Sequence, residues 1–170
     1  MPIWPFHRSR AGGDAEALVS AVTAASRRVE FYGLERVPDT MEGRFELMTV
    51  HGALAMLRLQ TDPALSPLAQ AFADRFFSLV DAGLREAGAS DTAVPKRMHQ
   101  LAGDFYGRVE AYGASLSNPT ALEGALARNV WRLQSHPFAA TLAAYVAKSA
   151  HTQAGAPISA MFAAEGWPAL

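Results

Sequence analysis

A chain of 170 residues, half of them apolar, is long enough for one domain around a single core. Fifteen basic residues stand against 16 acidic ones, a formal net charge of −1, so there is no global basic field and DNA is not an expected partner. The absence of cysteine excludes disulfides, zinc fingers and thiol chemistry.

Residues 1–13 read as an irregular arm, with Pro2, Pro5 and then Gly12-Gly13. The arm lacks the continuous apolar stretch of a signal peptide. No window reaches the roughly eighteen apolar residues that span a bilayer. A cytoplasmic protein is expected. Within residues 1–10, Trp4 and Phe6 beside Arg8 and Arg10 fit either a disordered tail, the first expectation, or peripheral contact with a membrane surface.

Asp14 is placed to cap a first helix running to about Tyr32, with Gly33 at its C-terminus. Asp39 or Thr40 opens a second that extends to about Gln60 and stops before Asp62-Pro63. Its apolar residues cover more than half the circumference, which predicts a central helix, and Arg44, His51 and Arg58 form a narrow polar stripe. Ser66 caps a third helix with Pro67 in its first turn, ending at Gly88. The fourth runs from Asp91–Pro95 to about Leu116, with Met98, Leu101, Phe105, Val109, Tyr112 and Leu116 in helical register. Asn118-Pro119 ends it. A shorter helix is expected over 120–133, another from Pro137 to Thr152, then a short helix and loose tail over 153–170. No segment alternates with period two, so the fold class is all-α, about six helices in one domain spanning 14–152.

Motifs that carry catalysis are missing. His7, His51, His99, His136 and His151 fall in no metal-binding helical spacing, and there is no G-x-S-x-G, P-loop or G-x-G-x-x-G. Neither a metal nor another cofactor is expected. Two runs stand out instead: Gly43-Arg44-Phe45-Glu46-Leu47, and Phe105-Tyr106-Gly107-Arg108 about sixty residues later. Each sets arginine and glycine beside large apolar residues. Glu42 and Glu46 read as a solvated helix face around Arg44, and Asp104 lies one turn before Arg108. Ion pairs that fix helix packing and a groove rim that accepts a partner segment both fit these residues. Gly103 and Gly107, four apart, make a smooth stretch that suits either close packing or a groove. Lys96, Arg97 and His99 put cations at a helix N-terminus against the macrodipole, which fits either an ordinary solvated first turn or use toward phosphate or an acidic protein.

These residues resemble the ubiquinol–cytochrome c chaperone family, which includes the mitochondrial assembly factor for cytochrome b of the bc1 complex and its bacterial relatives. The likeness is carried by Tyr32-Gly33, Thr40 to Leu47, Asp91 to Met98 and Phe105 to Arg108, with a weaker match at Leu126 to Val130, and covers about residues 31–131. No presequence-like extension is present, so the bacterial branch fits, with a place in the cytoplasm or peripheral to the inner membrane. The resemblance implies an all-helical, noncatalytic chaperone. Its client would be nascent or newly inserted cytochrome b, with the ribosome or a small partner protein alongside. The motif residues then become the candidates for client contact: Arg44, Phe45, Glu46, Lys96, Met98, Phe105, Tyr106, Gly107 and Arg108. Two other readings stand beside it: a helical ligand-binding protein or enzyme with a pocket near Arg44, His51 and Arg108, and an interaction subunit of an obligate complex.

Overall fold

The computed structural model describes residues 10–170, and the expected membrane-contacting arm, Met1 to Ser9, lies outside the described residues. Six α-helices carry the fold: α1 Arg10–Ser26, α2 Met41–Leu59, α3 Ser66–Glu86, α4 Val94–Ser115, α5 Pro119–Leu126 and α6 Ala139–Ala154. Among the described residues there is no strand, only an isolated bridge between Tyr32 and Val37.

α2 is the axis of the molecule, as its nearly all-round apolar pattern predicts. Every residue from Thr49 to Met56 is buried, and α1, α3, α4 and α6 all pack on it. Thr40 caps it, its hydroxyl accepting from the Gly43 amide at 3.1 Å. Asn118 does the same for α5, accepting from Ala121 N at 3.1 Å. Gly88 closes α3 at φ +89°, a conformation that costs glycine nothing.

Four expectations need correction. α1 begins at Arg10, not Asp14: its first turn takes in the exposed Gly12 and Gly13, and the helix as a whole is held by packing along α3, where Glu16 pairs with Arg75 at 2.6 Å. It also ends earlier, at Ser26, whose carbonyl accepts the Tyr32 hydroxyl at 2.7 Å, satisfying a helix-end acceptor. The capping side chain before α3 is Asp62, which accepts from Ala64 N at 2.9 Å and starts a 3-10 turn over Pro63–Leu65; Ser66 is already helical. Past Leu126 the chain winds into a π turn, Ala127–Trp131, stopped by Arg132 in the left-handed region at φ 58°.

The segment after α6 is not loose. Two 3-10 turns, Ile158–Phe162 and Ala164–Gly166, lead to Trp167, which is 2 % exposed, and Met161 is fully buried. At Gly166 a side chain would sit 2.6 Å from the Ala160 carbonyl, so the segment fits only without one.

Candidate functional site

The first motif splits between two faces, because consecutive helical residues are about 100° apart. Arg44 points outward, and its Nε donates to Asp39 Oδ1 at 2.7 Å across two exposed side chains. That bond holds the Asp39 carboxyl below its ordinary range. Glu46 points inward, and Arg108 Nη2 of α4 donates to it at 3.0 Å, with the two side chains 8 % and 13 % exposed. Burial raises the Glu46 carboxyl, opposed chiefly by the charge of Arg108 and then by that of Arg132. Glu46 is therefore not on a solvated face, and the partner of Arg108 is Glu46, not Asp104. Gly43 makes the motif possible. A β-carbon there would lie 2.0 Å from the Pro38 carbonyl oxygen, so the turn before α2 crosses directly over it. Phe45 is half-buried.

The second motif divides in the same way. Phe105 is 2 % exposed and meets Phe76 at 5.0 Å and Phe77 at 5.4 Å between ring centroids. Tyr106 is 45 % exposed and lies 6.3 Å from Phe77. Lys96 is exposed and Met98 half-buried, and beside Met98 runs an open groove of about 440 Å³ lined by Asp74, Phe77, Ser78, Asp81 and Met98. Nothing lies within 4 Å of where β-carbons would stand at Gly103 and Gly107, so these glycines are not close-packing positions. Gly52 and Gly113 are, facing Phe76 at 2.8 Å and Leu57 at 2.7 Å. The structure thus places Lys96, Met98, Tyr106 and Gly107 at the surface of α4, Arg44 at that of α2, and Glu46, Phe105 and most of Arg108 inside.

Arg44, His51 and Arg108 face apart: Arg44 is exposed on α2, while Arg108 pairs with Glu46. His51 is fully buried. Its Nδ1–H donates to the Leu47 carbonyl at 2.7 Å, which leaves Nε2 to accept from the Tyr145 hydroxyl at 2.8 Å. Burial pushes its pKa down to about 4, so the ring is neutral. Arg58, also expected on the polar stripe, donates to the Gln153 carbonyl at 2.9 Å.

Two features escaped the sequence reading. Leu34 is 95 % exposed, Met41 70 % and Leu133 51 %, around a junction where Trp131 Nε1 donates to the Arg36 carbonyl at 3.1 Å. Trp131 stacks on His136 with ring centroids 4.1 Å apart. Glu35 and Arg132, the only non-glycine residues with positive φ among the described residues, flank this junction, and backbone strain leaves no composition signal. The other feature is the clamp on the last segment. Arg28 donates to the carbonyls of Pro168 at 2.6 Å and Trp167 at 2.8 Å, across about 140 residues of sequence. A Gly-Trp-Pro run is the only local hint of it.

Among the described residues no cluster of histidine and carboxylate side chains is arranged to hold a metal ion, and no helix is long and apolar enough to cross a membrane. The family described as ubiquinol–cytochrome C chaperone matches residues 35–166, extending beyond the expected limit near residue 131 through α6 and its following turns. The crystal structure of the Cbp3 homolog from Brucella abortus superposes with a TM-score of 0.80 at 41 % sequence identity, covering 91 % of this chain and 88 % of that one. No curated protein matches.

Proposed function

The chain belongs to the ubiquinol–cytochrome c chaperone family, and on that premise we propose that it is an assembly chaperone of the cytochrome bc1 complex whose client is newly made cytochrome b. The observation that carries this reading is the 41 % identity to a Cbp3 homolog over nine-tenths of the chain, at a TM-score that leaves the fold unchanged. The role is noncatalytic: the chain covers an apolar client segment until it is assembled.

The surface of α4 suits that task. Tyr106 and Met98 sit beside Phe77, an adaptable apolar strip above an open groove, and a partner segment can approach closely over Gly103 and Gly107. Lys96 stands at one end of the strip. In this reading Glu46, Phe105 and Arg108 hold α4 against α2 and α3, and Arg44 presents a separate charged point on α2.

Deletion of the gene in its own host, followed by reduced-minus-oxidised haem spectra of the membranes, tests the role. A selective fall in the cytochrome b signal, restored by the wild-type gene and weakly by Tyr106→Ala, is expected. An unchanged cytochrome b signal would assign the fold to another client.

A further inference from the structure

The segment Ile158–Leu170 occupies a groove formed by α1, α2 and α6, and the way it is held is unusual for a piece of core. It has no α-helix or strand of its own, only two 3-10 turns. Four of the side-chain bonds that secure it grip backbone carbonyls: Arg28 on Trp167 and Pro168, Gln153 Nε2 on Gly166 at 3.2 Å, and Lys148 on Ala169 at 3.3 Å. Such hooks read no side chain, so they suit any chain that presents its carbonyls there. Beneath them Trp167 lies 5.4 Å from His51 between ring centroids, with Phe31 and Tyr145 completing an aromatic wall.

The occupant also fits incompletely. Gln153 is 2 % exposed, and its amide donates to Gly166 while its Oε1 accepts no hydrogen bond among the described residues. A buried side-chain amide closes both of its bonds when a backbone offers a carbonyl and an N–H together, as an extended segment does. This segment offers the carbonyl alone. Short turns with few regular hydrogen bonds are also the parts of a fold that open first.

We propose that Ile158–Leu170 is a displaceable occupant, an internal stand-in for the client, and that an apolar, aromatic-bearing stretch of client backbone takes the same groove when the segment swings out from Gly155. The inference rests on the chaperone reading and adds to it a gated second contact, apart from the α4 surface. The groove stays covered until a client competes for it, so the aromatic wall is not left open to water.

The experiment uses the full chain and two probes. One is a labelled peptide of residues 156–170, and the other is a synthetic apolar segment of cytochrome b in mild detergent. Trp167→Ala loosens the internal occupant and leaves the hooks of the groove in place, whereas Arg28→Ala removes hooks that would hold any occupant. Trp167→Ala is expected to bind the labelled peptide, which keeps its tryptophan, about tenfold or more tightly than wild type does, the scale of one buried aromatic side chain, and adding Arg28→Ala should weaken that binding. The cytochrome b segment should compete for that site. In wild type, it should speed amide exchange over 158–170 while the helices stay protected. If it binds wild type and Trp167→Ala equally and leaves 158–170 protected, the segment is a fixed part of the core and the proposal falls, with the client reading intact. Peptide binding to the opened variant without any cytochrome b binding would support the groove and sink that client. Binding of neither probe to either variant would overturn the proposal.

Discussion

Arg44 and Arg108 look alike in the sequence, each beside a glycine and an aromatic residue, yet they differ in what their loss should do. Arg108→Ala leaves Glu46 buried without its counter-charge, and removing one partner of such a pair costs about 3–5 kcal/mol. A lowered urea midpoint is expected, with much of it recovered in the double variant Glu46→Leu/Arg108→Met, where neither charge is buried. Arg44→Ala breaks only an exposed pair, so its melting temperature should stay close to that of wild type. His51 gives a second test. Its folded pKa of about 4 lies below its ordinary 6.5, so the unfolded chain binds the extra proton between these values. Stability contributed by neutral His51 is complete above about pH 6.5 and is lost as pH falls toward 4. By that linkage the loss is up to about 3 kcal/mol, measurable as a falling urea midpoint between pH 7.5 and 4.5. Glu46, raised by burial, works in the opposite direction and flattens the acid limb. Neither burial was legible locally. The seven-residue spacing of Arg44, His51 and Arg58 gives one stripe on α2, but α6 arrives over its middle and supplies Tyr145, 94 residues away, as the partner that makes a buried histidine tolerable.

The helices themselves were largely legible. Five-step periodicity fixed α4, and Thr40, Asn118 and Gly88 marked real ends because capping is chemistry between near neighbours. Glycines inside helices were ambiguous for the opposite reason: what faces them comes from another element. Gly43→Ala should destabilise by about 1–3 kcal/mol, since the Pro38 carbonyl is backbone and must move aside. Gly107→Ala has open space and an exposed helix position, so it should stabilise by up to about 1 kcal/mol. If α4 meets the client over Gly107, that variant will melt higher while restoring less cytochrome b in the deletion strain. A gain in both would place the contact elsewhere on the molecule.

At the scale of the whole molecule, the all-α class followed from periodicity, and family resemblance was visible in the motifs on α2 and α4 and in the turns before them. The closing segment was not, because Gly155, Pro157, Gly166 and Pro168 compose like a loop and its order comes from Arg28, Gln153 and Lys148 on distant elements. Trp167→Ala should lower stability by about 3–5 kcal/mol, read by thermal melting, an effect no tail residue of a loose segment would have. The π turn at Ala127–Trp131 carries a different sort of constraint. A π turn holds one residue more than an α turn, so it sets the angular phase of everything that follows it. Deleting a single residue there, such as Arg128, would let α5 run on as a regular helix and rotate Trp131 by about 100° away from the Arg36 carbonyl. Length is therefore a specification in its own right at this point of the chain: substitutions can be absorbed one side chain at a time, but a change of one in the residue count turns the whole Trp131–His136 corner out of alignment.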